Sequence, residues 1–156
     1  MKAQTAKALT AGSAAPPAPL SALPWTAERA NRALPLVRRI VADMVACHVE
    51  WQDAVSAFEY ATTRSSAAQP DADAERLQRE AQAKAEEIQR FVAELEALGI
   101  ECRALDTGLV DFPGERDGRP VYFCWQHGEP AVAHWHDVGA GFSGRQPLLD
   151  SEFRQP

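Results

Sequence analysis

The chain has little with which to staple itself or enter a membrane. It holds three cysteines in 156 residues, Cys47, Cys102 and Cys124, and no CxxC pair. Three scattered thiols exclude a disulfide framework and fit free cysteines in a reducing compartment. No apolar run approaches the ~20 residues that a membrane span requires. Lys2 and Lys7 are followed by no apolar stretch, so the N-terminus does not read as a signal peptide, and the expected location is cytoplasmic. Clustered cations are missing too. Net charge is −6, and the nearest approach to a basic patch, Arg32 with Arg38-Arg39, fits the solvated side of a helix. A nucleic-acid backbone needs clustered Lys and Arg to displace its counterions, so a nucleic-acid partner is not expected.

What is present suffices for one domain with a core, at 46% hydrophobic residues. Residues 1–24 stand apart. They are rich in Ala, Pro, Ser and Thr, with Pro16, Pro17, Pro19 and Pro24 and no aromatic. Such a segment buries too little apolar area to offset its ordering entropy, and reads as a disordered tail.

Thr26 then offers a helix N-cap, with Glu28 in the first turn where the helix dipole favours an acid. Pro35 predicts the end of a short opening helix, or a kink before a longer one. Beyond it, Val37, Val41, Met44, His48, Trp51, Val55 and Phe58 alternate spacings of four and three. Leu77, Ala81, Lys84, Ile88, Phe91, Leu95 and Leu98 repeat that rhythm. Both are heptad seams, with His48 and Lys84 as the polar entries that set register. The stretch from Thr62 to Asp73 reads as a loop, and Gly99 as a C′ residue. The region 25–99 is therefore expected to hold a long antiparallel helical hairpin over 36–98, each arm about 26–28 residues and about 40 Å long. One seam cannot cover both sides of Trp51 and Phe58. Either the downstream region or a second copy must pack there, so a homodimer is expected.

After Gly99 the apolar period shortens to about two, the period of a strand. Ile100–Arg103, Leu109–Phe112, Val121–Gln126 and Ala131–His136 read as strands, the second stopped by Pro113. Residues 114–119 and 127–130 carry turn chemistry. Gly139, Gly141 and Gly144 loosen the next loop, and Gln146–Leu149 offers a last edge. The region 100–150 is expected to form an antiparallel sheet of three or four strands packed on the hairpin, with 151–156 a short tail. The fold class is α+β.

The chemistry-bearing side chains crowd into this last third, which holds two of the four Trp and three of the four His. In His134-Trp135-His136 the two imidazoles project to one face of a strand. Asp111 and Glu129 could add carboxylate oxygen. Two His with a carboxylate is a ligand set for zinc and non-haem iron. The plainer reading is two His lining a polar sheet face. The hairpin register decides between them. A four-residue loop, His127–Pro130, places Phe123 opposite His134 and Val121 opposite His136. A loop longer or shorter by an odd count exchanges the faces, and Cys124 then joins His134 and His136. Cys124 as a nucleophile would need an oxyanion donor set, and none can be named. Asp111 has a structural alternative, an ion pair with Arg103, Arg119 or Arg145. Trp125 and Trp135 read as core, and His127 as exposed.

Read together, the two ends carry a resemblance. Thr26-Ala27-Glu28-Arg29-Ala30-Asn31 is followed by Leu34-Pro35. Far downstream stand Gly108-Leu109-Val110-Asp111-Phe112-Pro113, Cys124-Trp125, Gly128-Glu129, Trp135-His136, and Gly141 with Arg145-Gln146-Pro147-Leu148. Over residues 25–149 this resembles the uncharacterised bacterial family known as domain of unknown function 2203. The resemblance implies no activity and assigns no catalytic or binding residue. The leading expectation is a non-enzymatic assembly module that self-associates, or binds a helical partner, through its hairpin. The alternative is a zinc- or iron-binding protein using His134, His136, Asp111, Glu129 or Cys124, which would include a metal-dependent enzyme.

Overall fold

A computed structural model of the chain describes residues 23–69 and 71–153. Apart from Leu23 and Pro24, the tail expected over 1–24 lies outside the described residues. Two helices come first, α1 (Ala27–Arg64) and α2 (Ala72–Ala97). Five strands follow, β1 (Glu101–Ala104), β2 (Leu109–Arg116), β3 (Arg119–Gln126), β4 (His134–Asp137) and β5 (Gln146–Pro147). The strands pair antiparallel in sequence order, as an open sheet. The α+β fold, a helical hairpin followed by an antiparallel sheet, is the one the residue pattern predicts, with β5 as the short last edge.

Thr26 caps α1 by accepting from the Arg29 amide at 3.1 Å. The helix does not stop at Pro35. It runs 38 residues, about 57 Å, with Pro35 inside it. Pro35 faces solvent, while Ala27, Ala30, Leu34, Val37 and Val41 form a buried stripe on the opposite side. Burial of that stripe offsets the lost backbone bond, a cost of about 3 kcal/mol.

Pro113 does not end β2 either, and the reason is local. Its carbonyl accepts from the Trp25 amide at 2.8 Å, on the side of the strand away from β3. The missing N–H faces the same way, so no bond to β3 is lost. The β2–β3 hairpin closes through Asp117 and Gly118, with φ of 52° and 74°, the two positive values that a tight primed turn needs.

One core joins hairpin and sheet. Val37, Val41 and Met44 of α1, Ile88 and Leu95 of α2, and Val110, Phe112, Phe123, Trp125 and Trp135 of the sheet belong to it. Trp25 ties three parts together. Its ring meets Phe112 edge-on, and its indole N–H donates to the Gly99 carbonyl at 3.0 Å. At the far end of the sheet, Glu152 accepts from Arg116 at 2.6 Å and from the Leu149 amide at 2.7 Å. These bonds and the Arg116 charge outweigh burial and hold the Glu152 carboxyl below its usual range.

Candidate metal centre

The strand register determines which side chains share a face. Cys124 pairs with Asp111 on one side and His134 on the other, and Tyr122 pairs with His136. The β3–β4 connection runs over residues 127–133, longer than His127–Pro130 by an odd count, so the face-exchanged register is the one that forms. Val110, Phe112, Phe123, Trp125 and Trp135 point to the helices. Asp111, Cys124, Tyr122, His134 and His136 point the other way.

Three features hold this register. Asn31 on α1 accepts from the Val132 amide at 2.9 Å and donates to the Val132 carbonyl at 3.0 Å. The Trp125 indole N–H donates to the Glu129 carbonyl at 3.0 Å. The Glu129 carboxylate accepts from the Gln126 amide at 2.8 Å.

The face away from the helices is nevertheless covered. From Val138 to Arg145 the chain folds back across it. Arg145 fastens this segment: its Nη2 donates to both Glu129 oxygens at 2.8 Å and lies 3.1 Å from His134 Nδ1. Its guanidinium also stands over the Phe142 ring. Beneath the segment, Asp111, Cys124 and His136 are 2%, 0% and 3% exposed. Their ligand-type atoms all lie within 4.8 Å of one another.

His136 Nδ1 lies 2.8 Å from the Asp137 carbonyl oxygen. A carbonyl only accepts, so Nδ1 carries the proton. Nε2 is then 3.1 Å from Asp111 Oδ2. In a neutral ring these two atoms are both acceptors and repel, unless a second ring proton or a bound cation stands between them. Metal-binding histidines commonly hold their outer nitrogen in this way, on a backbone carbonyl. Asp111 Oδ2 also accepts from Arg103 Nε at 2.8 Å, and Arg103 reaches Glu101 at 2.6 Å. Of the three arginines available to Asp111, Arg103 is the partner. Among the described residues Asp111 Oδ1 and Arg145 Nε are buried without a hydrogen-bond partner, and the Cys124 thiol is within hydrogen-bonding reach of the Asp111 carboxylate. Burial first, then the charge of Asp111, push the Cys124 thiol up to about 12 against the pull of Arg145.

The five residues singled out in the sequence therefore divide. Asp111, Cys124 and His136 come together, whereas His134 and Glu129 are joined to Arg145 beside them, with His134 Nδ1 4.0 Å from Glu129. Tyr122 escaped the sequence reading. Its ring leans on His136 at 5.4 Å, and its hydroxyl donates to Glu101 at 3.2 Å. The signal was its period-two spacing from Cys124. The other polar candidates lie on the hairpin: His48 stacks on Trp51 at 5.6 Å, and Lys84 pairs with Glu50 and Glu87.

A helical hairpin backed by an open antiparallel sheet, with a buried Asp–Cys–His group on the sheet's outer face, defines the class of protein. The chain matches the family described as an uncharacterized conserved protein, DUF2203, over residues 24–148, and it belongs to that family. No curated protein and no solved structure matches it.

Proposed function

We propose that the chain is a metal-binding protein, holding zinc or ferrous iron through Asp111, Cys124 and His136. The observation that carries this reading is the buried convergence of three ligand types, with Asp111 Oδ1 left without a hydrogen-bond partner among the described residues. Thiolate, imidazole and carboxylate together suit zinc, and iron is the next fit. A cation would satisfy Oδ1 and would relieve the facing acceptors of His136 and Asp111. Its chemistry would be that of a Lewis acid with a coordination position left for a ligand. The Arg103–Asp111 pair works against binding, because it already neutralises one of the two acidic ligands. Displacement of the Cys124 proton restores the second negative charge.

The test is elemental analysis of untagged protein purified without chelator. About one metal per chain is expected in the wild type, and loss in Cys124→Ser and His136→Ala variants that keep their circular dichroism. No uptake after incubation with Zn²⁺ or Fe²⁺, or full loading of both variants, would overturn the reading.

A second reading, self-association through the hairpin, rests on its distal half. Among the described residues of α2, none before Ile88 is buried. Val55 and Phe58 on α1 stay half-buried, beyond Trp51 at the edge of the core. The sheet covers only the proximal half, so the surface that would pack on a second copy lies at the far end.

A further inference from the structure

We propose that the open side of this centre takes a small monocarboxylate with a short apolar tail. The inference rests on the metal reading and deepens it. A cavity of about 280 Å³ adjoins Asp111 and His136, lined also by Arg103, Leu109, Val138, Gly139, Gly141 and Phe142. That volume is at the small end for ligand pockets. Its lining is graded with depth. Asp111 and His136 are buried at the bottom, whereas Val138 and Phe142 are 55% and 48% exposed at the mouth.

The chemistry follows that gradient. Three protein ligands leave a divalent ion a further position, and the cavity is the space beside it. Arg103 lines the cavity with its Nε and Nη2 already on Asp111 and Glu101. A ligand carboxylate would therefore take its main contact from the ion and only a share of the guanidinium. A phosphate-sized dianion suits the cavity less well. It would meet one arginine that is already shared with Asp111 and Glu101. Without an ion, Asp111 and Glu101 together outweigh the single charge of Arg103, so carboxylate binding requires the metal. At the mouth, Leu109, Val138 and Phe142 offer apolar side chains for a tail of a few carbons, beside the backbone of Gly139 and Gly141.

Calorimetric titration of the full chain, loaded with zinc, with butyrate and with butyramide, tests this. Zinc content is measured on the same sample. Butyrate should bind, and butyramide or metal-free protein should bind at least about tenfold more weakly. Phe142→Ser should weaken butyrate about three- to tenfold through lost apolar contact, with zinc content unchanged. Equal affinity for butyrate and butyramide, equal butyrate binding with and without zinc, or no butyrate heat on loaded protein would overturn the inference alone. Failure to load zinc would overturn the metal reading, and this inference with it.

Discussion

Asp111 has two oxygens and an uneven set of partners. Oδ2 is shared by Arg103 and His136, while Oδ1 has no partner among the described residues beyond the reach of the neighbouring Cys124 thiol. A buried carboxylate oxygen left this way costs about 1–3 kcal/mol, more when charged, so the molecule gains from whatever fills the gap. Cys124 beside it holds its proton, since burial and the Asp111 charge push it up to about 12. Two pH effects follow from that raised value. In the metal-free protein, the stability linked to this thiol is fully present below the unfolded value of ~8.5 and is lost as pH climbs towards 12. Zinc must displace that proton, so affinity should rise by about tenfold per pH unit across neutrality. Competition titrations at several pH values check this, and a flat profile would argue against a thiolate ligand. The sequence made Asp111, Cys124 and His136 visible as residue types in strands. It could not show that His134 and Glu129 would be engaged by Arg145, because that grouping depends on how the loop from Val138 folds back.

At the scale of the element, the β3–β4 connection determines whether a site exists at all. One residue more or less in that connection turns Cys124 to the opposite face from the two histidines. Its length was not legible, because Asn31, about a hundred residues earlier, fixes it through both backbone groups of Val132. The helices and most strands were legible from period and turn residues. Pro35 and Pro113 misled for a shared reason: each stands where its missing N–H or its ring faces away from the partners that matter, which a local rule cannot see. Gly108 supports the same connection from below. Its φ is +65°, and a Cβ there would meet Val41 Cγ1 and His127 Cβ at 2.7 Å. Gly108→Ala should therefore destabilise the fold by about 2–5 kcal/mol, from backbone strain and overpacking together. Urea denaturation checks this, and a loss below ~0.5 kcal/mol would show that helix and sheet approach less closely there.

Across the whole molecule the packing is uneven. The sheet and the near half of the hairpin share one core, with Trp51 packed against its edge, while the far half carries the half-buried Val55 and Phe58. The heptad seam predicted the two helices but not where the sheet would stop covering them. If the far half packs on a second copy, mass measured by light scattering should rise with concentration, and Phe58→Glu should hold the protein monomeric. A wild type that stays monomeric at every concentration would remove that role from the hairpin. It would leave the metal centre untouched, because the centre lies on the opposite face of the sheet.

The central claim is that Asp111, Cys124 and His136 form one metal site, and cobalt reports on it most directly. Absorption spectra of the chain titrated with Co²⁺ should show a thiolate-to-cobalt charge-transfer band that saturates at about one ion per chain. The band should be absent in Cys124→Ser. Cobalt uptake without that band, or no uptake by folded protein, would contradict the account and leave Asp111, Cys124 and His136 as a buried structural network.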